Sequence, residues 1–398
     1  MGTKFGTAIV TSDDSFKAGR EVVEKAMKKA GITKADLVIL FSSSAYNYRS
    51  VVDGVRQVTG KTPLIGCSTS GEFTEERVAK GSVACAVIAS DTHTFFTGMG
   101  SGLRADEIKC LGDAAAGFPA PIKEYPYLSA MVMIDGIAGK GEESVLSALN
   151  ALGPNVKFAG CAAGDDLQFR ETVVFCDDKV AADSASLALI ASRIPVAIGV
   201  KHGHLPISPP LTVTKAEGNI VHELDHKPAF EVWKEYCRES AKSIGMNVDM
   251  MSRPELVSSF FTRYEAGLLT GGVDYKIRWL GGTTTSDGPI TFPCTMTEGM
   301  VLRVMESPKE GQIVSARKAA EAALTAARGA KLAGAIVFDC VCRAVILGSE
   351  FDRAVDGISD VLGRIPMIGF ETYGEIAMEL GQLSGFHNTT TVVLLIPE

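Results

Sequence analysis

Four short segments of the chain repeat one chemical pattern, in which apolar residues lead to a glycine, small or hydroxyl residues follow, and an acid usually closes the segment. Residues 63–73 and 366–376 share the frame P-x-I-G-x-x-T-x-G-E-x, and residues 158–166 and 280–288 are weaker copies. Backbone N–H groups that follow such a glycine can form an anion-holding concavity. The closing carboxylate suits an amine, so the pattern favours a small zwitterion such as an amino acid.

Turn chemistry alone is the alternative explanation, because glycine and small polar residues are common in turns that bind nothing. Under the binding hypothesis, the first glycine permits positive φ or a close backbone approach. The ligand-binding residues that this pattern predicts are Gly66, Cys67, Thr69, Gly71, Glu72, Gly160, Cys161, Asp165, Gly369, Thr372, Gly374 and Glu375.

Two kinds of cysteine site arise from the sequence. Cys67 and Cys161 directly follow turn glycines, a place where a thiol can be activated, although one sequence cannot place a histidine beside them. Cys340 and Cys342 share a face if residues 335–342 form one strand, but a lone C-x-C lacks the second ligand pair of a structural zinc site. Arg343, next in the chain, is predicted to pair with a carboxylate of the protein or of a ligand.

Histidines offer no tight metal frame. His202 and His204 share a strand face, whereas His222 and His226 need a helix that Pro228 disfavours. We therefore predict structural or solvated histidines and no metal site. Any one of His202, His204, His222 and His387 remains a candidate axial ligand for an iron porphyrin.

The elements that must position these residues are strands and helices in alternation. Buried apolar runs at residues 36–41, 128–134 and 335–340 each precede a helical pattern and then one of the glycine segments. Such strand–helix–strand units require parallel pairing. The sequence predicts an α/β fold of two related halves, with mixed β-sheets, βαβ units and helices covering the sheets. We place the domain boundary between residues 195 and 210, where prolines interrupt a strand-like stretch. The two predicted domains are residues 1–203 and 204–398.

Composition excludes several classes of function. The net charge of −8 argues against nucleic acid as a partner and against an anionic membrane surface. No apolar run reaches the roughly 18 residues of a membrane-spanning helix, and the first residues lack a signal-peptide core. We expect a cytoplasmic protein without membrane insertion, whose nine cysteines are reduced core thiols.

The order and spacing of the motifs resemble the FIST family. Residues 66–72 and 160–165 resemble the N-terminal FIST domain, while residues 217–219, 340–343, 369–375 and 387–390 resemble its C-terminal partner. The resemblance adds Asn388 to the predicted ligand-binding residues. One departure is Asp225-His226, where the family pattern leads us to expect Asp-Gly.

The resemblance implies an intracellular sensory protein that binds a small ligand, such as an amino acid or a related anion, between two FIST domains. With no kinase segment in the sequence, we expect it to signal through a separate partner, a histidine kinase or another signalling protein. Two alternatives stay open: a heme-binding nitric oxide sensor that regulates a histidine kinase, and an enzyme that uses Cys67 or Cys161. We expect no enzymatic activity.

Overall fold

The computed structural model describes residues 2–119, 123–251, 255–269, 275–281, 288–292, 294–378 and 385–398. Most of the weak copy predicted at residues 280–288 lies outside these ranges. The strands, numbered in chain order, are β1 (Lys4–Val10), β2 (Leu37–Ser43), β3 (Leu64–Thr69), β4 (Glu72–Thr74), β5 (Val78–Ala79), β6 (Val83–Ala89), β7 (His93–Ser101), β8 (Tyr127–Ile134), β9 (Lys157–Ala162), β10 (Val174–Cys176), β11 (Lys179–Ala181), β12 (Ser184–Ser192), β13 (Ala197–His202), β14 (Leu205–Pro206), β15 (Leu211–Glu217), β16 (Ile220–Leu224), β17 (Lys227–Pro228), β18 (Tyr264–Leu269), β19 (Tyr275–Arg278), β20 (Ile290–Thr291), β21 (Val301–Glu306), β22 (Leu332–Cys340), β23 (Met367–Thr372), β24 (Gly374–Met378), β25 (Phe386–His387) and β26 (Thr390–Pro397).

The described α-helices of seven or more residues are α1 (Ser15–Ala30), α2 (Tyr48–Thr59), α3 (Glu107–Ala115), α4 (Gly141–Leu152), α5 (Ala229–Ser243), α6 (Lys309–Ala327), α7 (Val341–Leu347) and α8 (Phe351–Val361). Helix ends follow the predicted capping chemistry. The Asp14 side chain accepts from the Lys17 N–H at 2.9 Å, and Gly31 closes α1 in the left-handed conformation. Helix α6 begins at Lys309, because extended Pro308 serves as its N-cap.

Three of the four sheets repeat one strand order. The first runs β1-β6-β2-β3-β10-β11, the second β7-β12-β8-β9-β24-β25 and the third β13-β26-β22-β23-β4-β5. Each contains one parallel pair, β2–β3, β8–β9 or β22–β23, made by a βαβ unit. The predicted α/β class with mixed sheets and βαβ units is confirmed. The chain contains three related units, one more than the two halves that we expected from the sequence.

After each second parallel strand the chain crosses into a neighbouring sheet. Strand β4 follows β3 but pairs with β23 of the third sheet. Strand β10 follows β9 but pairs with β3 of the first sheet, and β24 follows β23 but pairs with β9 of the second. Each crossing is one of the glycine segments, so these segments connect the three sheets in a cycle.

One apolar core fills the space that the three sheets enclose. Phe41, Met131 and Phe338 come from different sheets and are fully buried in it, and the rings of Phe41 and Phe370 lie 4.4 Å apart. The opposite faces of the sheets carry separate apolar layers with α1 and α2, α3 and α4, and α6 and α8. The sheets are therefore covered on both faces, as their nearly continuous apolar strands require.

A fourth sheet is inserted between β13 and α6. Its path is β17-β16-β15-β21-β18-β19, and it packs with α5 around its own core, centred on buried Trp233. The hairpin predicted around residues 217–219 is present as β15 and β16. The inserted domain starts near the predicted boundary between residues 203 and 204. The division of the chain into two domains at this boundary stays a prediction.

Candidate functional site

The three glycine segments meet and form a closed ring of backbone hydrogen bonds, which we call the hub (residues 66–72, 160–166 and 369–375). In each segment, the fifth residue donates its N–H to the carbonyl of the third residue of a neighbouring segment. The three bonds are Ser70 N to Glu371 O at 3.1 Å, Gly164 N to Ser68 O at 2.9 Å, and Tyr373 N to Ala162 O at 3.0 Å. These backbone donors, which the sequence suggested for an anion, are used by the protein itself.

The glycines that open the segments allow strands to lie unusually close. A Cβ atom on Gly160 would lie 1.7 Å from the Val132 carbonyl oxygen, and one on Gly66 would lie 1.9 Å from that of Leu40. A Cβ atom on Gly369 would meet the ring of Phe73 at 2.3 Å. Close approach, rather than positive φ, explains these three glycines.

Two of the predicted carboxyl groups are fully buried in the hub. Glu72 accepts hydrogen bonds from Thr69 and Ser82, and Glu375 accepts from Thr372 and from the Thr390 N–H. Burial raises the pKa of Glu72 to about 8, although its hydroxyl partners act in the opposite direction. Burial likewise raises the pKa of Glu375 well above its usual value. Glu72 therefore favours the neutral form at pH 7, and burial acts on Glu375 in the same direction.

The two hub cysteines lie together in the core. The Sγ atoms of Cys67 and Cys161 are 3.9 Å apart, and both residues are buried. Burial, followed by the contact with Cys67, raises the pKa of the Cys161 thiol well above its usual value. This direction is opposite to the one that activates a nucleophile.

Asp165 positions the loop that follows the second segment. Its carboxylate accepts the N–H groups of Phe169 at 2.9 Å and Arg170 at 2.7 Å, and it also accepts the hydroxyl of Tyr373. The loop contains three non-glycine residues with positive φ, Asp166, Leu167 and Phe169. Backbone strain of this kind concentrates at functional sites, and here it places the Phe169 ring against Tyr373, with centroids 4.7 Å apart.

Beside this loop, a cavity of about 660 Å³ lies between the second and third sheets and the inserted domain. Its volume is in the range of small-molecule sites. Most of its wall is apolar. The lining residues are Ile134, Asp135, Gly136, Gly139, Lys140, Gly141, Ala162, Leu167, Phe169, Val257, Thr262, Trp279, Gly281, Cys340, Val341, Cys342, Val345, Tyr373, Phe386 and Asn388.

One end of the cavity is polar and suits an anion. Helix α4 starts there, and Lys140 at its N-cap position makes no side-chain hydrogen bond to the helix. The Lys140 ammonium pairs with Glu107 at 3.1 Å. The indole N–H of Trp279 is shielded from solvent and has no partner in the described part of the chain. A helix N-terminus, a lysine and an unpaired N–H donor together favour a carboxylate.

Hydrogen bonds from Arg278 and Trp279 connect the inserted domain to the core near the start of α4. Arg278 contacts Glu142 in the first turn of α4 at 2.8 Å and donates to the Phe386 carbonyl at 2.9 Å. The backbone N–H of Trp279, not its indole N–H, donates to the Asn388 side-chain oxygen at 3.4 Å. A ligand in the cavity therefore touches both the core and the inserted domain.

Cys340 and Cys342 line the cavity, but not on one strand as predicted. Pairing of β22 ends at Cys340, which becomes the N-cap of α7, so Cys342 lies in the first turn of that helix. Arg343 is fully buried and does not line the cavity. Its guanidinium contacts Asp339 at 2.7 Å, Ser315 at 2.9 Å and the Gln312 side chain, so the carboxylate partner predicted for it belongs to the protein.

Histidines do not supply this cavity with an axial heme ligand. No histidine is among its described lining residues. His204 lies with its Nε2 atom 2.7 Å from the Glu265 carboxyl, and both are fully buried. Burial lowers the pKa values of His204 and His387 to about 3. In the described ranges, no cluster of three or more His, Cys, Asp or Glu side chains could hold a metal ion.

Of the predicted ligand-binding residues, Asn388 alone is among the described residues that line the cavity. The others form the hub or, as with Arg343, a buried ion pair beside it, and direct ligand contact by them stays a prediction. Sequence reasoning missed Lys140 and Trp279. The available signal was positional: Asp135-Gly136 and Cys340 end equivalent parallel strands, and crevices at such strand ends are where open α/β sheets bind ligands.

Comparisons with known proteins agree with the sequence motifs. The FIST N domain matches residues 36–227 and the FIST C domain matches residues 229–378. An uncharacterized protein of Methanocaldococcus jannaschii is 25% identical over 75% of this chain and 59% of its own length. Uncharacterized proteins of Mycobacterium bovis and Mycobacterium tuberculosis are 23% and 25% identical, each over 99% of this chain and at least 99% of their own lengths.

A crystal structure of cyanuric acid hydrolase from A. caulinodans aligns with 48% of this chain and 72% of its own, at 12% identity and a TM-score of 0.28. No described helix is long and apolar enough to cross a membrane. The structure is a three-unit α/β protein with a cavity of about 660 Å³ beside an inserted domain. The chain belongs to the FIST family, whose domains are associated with sensory and signal-transduction roles.

Proposed function

We propose that the chain is a sensory protein that binds a small carboxylic acid with an apolar body, such as an amino acid or a related acid, in the 660 Å³ cavity. The polar part of the wall carries this proposal, because Lys140, the start of α4 and Trp279, whose indole N–H has no partner among the described residues, all belong to the cavity lining. The apolar remainder of the wall suits a hydrocarbon portion of the ligand.

The signal would pass through the inserted domain. The cavity is lined by Val257, Thr262, Trp279 and Gly281 of that domain, and by strand ends of the core. A ligand that contacts both bodies stabilises the arrangement in which both walls are close, and so shifts the population toward it. A separate signalling protein that reads this change, such as a histidine kinase, is part of the proposal.

Binding rather than catalysis is the activity that we propose. Burial and the raised pKa of Cys161 do not favour a thiolate nucleophile in the hub. The histidines do not favour heme in this cavity, so a dissolved acid is preferred over a heme-bound gas as the stimulus.

A calorimetric titration with hexanoate tests the site. Replacing Lys140→Met removes one positive charge from the polar end, and we expect binding to weaken by about 1 kcal/mol, or about fivefold. Lys109→Met on α3 is the matched control, because that lysine pairs with Asp113 and does not line the cavity. Equal affinity of wild type and Lys140→Met, or no binding of small acids by the wild type, would contradict the proposal.

A further inference from the structure

A second cavity, of about 410 Å³, adjoins the first. The two share a wall made by Leu167, Val341 and Val345, which line both. Part of the second cavity is apolar, with Val78 and Phe351 among its lining residues. It lies beside the third segment of the hub and the first turn of α8.

Glu371 gives this second cavity an unusual polar group. The residue is only 1% exposed, yet it lines the cavity. One carboxylate oxygen, Oε2, accepts from the Lys80 ammonium, and the other, Oε1, has no hydrogen-bond partner among the residues the structure describes. Because an unpaired buried acceptor is costly, this oxygen favours a donor group as its partner.

The surroundings of Glu371 favour a cation as that group. Lys80 is already held by Glu371 and by the Ser70 carbonyl at 2.7 Å. Asp352 supplies a second carboxylate to the cavity wall. Burial raises the pKa of Glu371 to about 7, although the neighbouring Lys80 lowers it. The carboxylates of Asp339 and Asp166 raise this pKa by a smaller amount. Because Asp339 is paired with Arg343, Asp352 is the second carboxylate that the cavity wall offers to a cation.

We propose that the second cavity binds the ammonium group of an ω-amino acid whose carboxylate lies at the polar end of the first cavity. This inference rests on the function proposed above and adds the chemical class of the ligand. The hydrocarbon chain between the two charges would pass the shared wall of Leu167, Val341 and Val345. Glu371 Oε1 and Asp352 would accept hydrogen bonds from the ammonium group.

An ammonium group fits better than a metal ion. Divalent cations take six or more oxygen ligands, or a set of carboxylates and imidazoles. Here one buried carboxylate oxygen is free, and the described residues contain no cluster of three or more His, Cys, Asp or Glu side chains that could hold a metal. An ammonium group needs only a few acceptors and tolerates apolar neighbours such as Val78 and Phe351.

Calorimetric titrations of the full chain with 6-aminohexanoate and hexanoate test the inference, since the two probes differ only in the amine. We expect the wild type to bind 6-aminohexanoate at least about tenfold more tightly, the usual effect of one charge-assisted hydrogen bond. In Glu371→Gln this preference should fall to severalfold at most, the part that Asp352 retains, with hexanoate binding unchanged. Thermal unfolding of Glu371→Gln shows whether the variant is folded.

Asp352→Asn is a second variant, chosen because Asp352 is exposed and its loss cannot unfold the core. It should weaken 6-aminohexanoate severalfold, whereas Asp356→Asn, one turn further along α8 and outside the cavity lining, should match the wild type. Equal binding of both probes by the wild type, or an undiminished amine preference in Glu371→Gln, overturns the inference and leaves the acid site standing. Failure of hexanoate and 6-aminohexanoate alike would instead contradict the proposed function itself.

Discussion

At the scale of single residues, the hub contains carboxyl groups, which are exposed to solvent in most proteins. Glu72 and Glu375 are fully buried, and each is hydrogen-bonded to the threonine three residues earlier. Buried carboxyl groups stay neutral when desolvation exceeds the stabilisation of their charged form. This protonation has a consequence for the pH dependence of folding.

Replacing Glu72→Gln should change how stability depends on pH. The pKa of Glu72 is raised to about 8 in the folded chain, from an ordinary value of 4.5. Its contribution is therefore complete below pH 4.5 and is lost as pH rises toward 8, by about 1.4 kcal/mol for each pH unit at most. The amide of Gln stays neutral at every pH. The free energy of unfolding of the variant should therefore rise relative to that of the wild type between pH 4.5 and 8, by up to about a few kcal/mol.

Urea denaturation at pH 5, 6, 7 and 8 measures this difference. Glu24→Gln on α1 is the control, because Glu24 is an exposed carboxylate that pairs with Arg20 across one helical turn. The control should follow the wild type at every pH. Parallel curves for wild type and Glu72→Gln would show that Glu72 is ionised in the folded protein.

Single residues also show what the sequence could and could not predict. The glycine segments were recognised because identical residues recur in a fixed frame. Their N–H groups, however, donate to carbonyls of other hub segments far along the chain, such as Ser70 to Glu371, and their buried carboxyl groups accept from hydroxyls of the protein. Lys140 and Trp279 carry no local pattern at all, since folding alone brings them to one cavity end.

At the scale of elements, close strand approach limits what the parallel pairs tolerate. Gly160 in β9 faces the carbonyl of Val132 in β8, where a Cβ atom would lie at 1.7 Å. Neither partner is the flexible end of a side chain, so the strands themselves must separate. Because β9 also pairs with β24, such a shift would reach the hub.

Gly160→Ala should therefore destabilise the chain by roughly 3 kcal/mol or more, in the range of severe overpacking. Gly112→Ala is the matched control, because Gly112 lies in the middle of α3 with nothing near the added Cβ atom. The control should stabilise by about 0.5–1 kcal/mol through helix propensity. Thermal unfolding of both variants gives the comparison, and a Gly160→Ala variant as stable as the wild type would show that the strands are not in close contact there.

Most elements were predictable from local patterns, and the exchanged strands were not. Apolar runs and caps located β2, β8 and β22 and the helices beside them, because burial and capping are local in sequence. Strands β4 and β10 have only three residues each and pair with partners far along the chain. Segments of three residues are too short to show an alternation of apolar and polar residues. The pairing of each sheet with a strand from another unit could therefore not be predicted from the sequence.

At the scale of the whole molecule, strand exchange makes the three units interdependent. Sheet three takes β4 from the first unit, and sheet two takes β24 from the third. The insertion between β13 and α6 separates the elements of the third unit in sequence, which is why two halves were expected instead of three units. The family match likewise divides the chain once, between residues 227 and 229.

The fragment 1–203 should not fold to a native-like state by itself. It keeps the strands of the first sheet but loses β24 from the second and most of the third, so one wall of the central core is exposed. We expect it to bind a hydrophobic dye and to lack a cooperative thermal transition, features of a loosely packed state. Adding the fragment 204–398 should restore the transition; a sharp transition of 1–203 alone, near the melting temperature of the full chain, would support two independent domains.

The most direct test of the small-molecule site is a crystal structure of the protein with 6-bromohexanoate, in which anomalous scattering locates the bromine atom. We predict one bromine peak in the 660 Å³ cavity or at the wall that it shares with the second cavity, with the carboxylate of the ligand at the start of α4, beside Lys140 and Trp279. A fully occupied ligand bound elsewhere, or one whose carboxylate lies away from this end of the cavity, would contradict the proposed function.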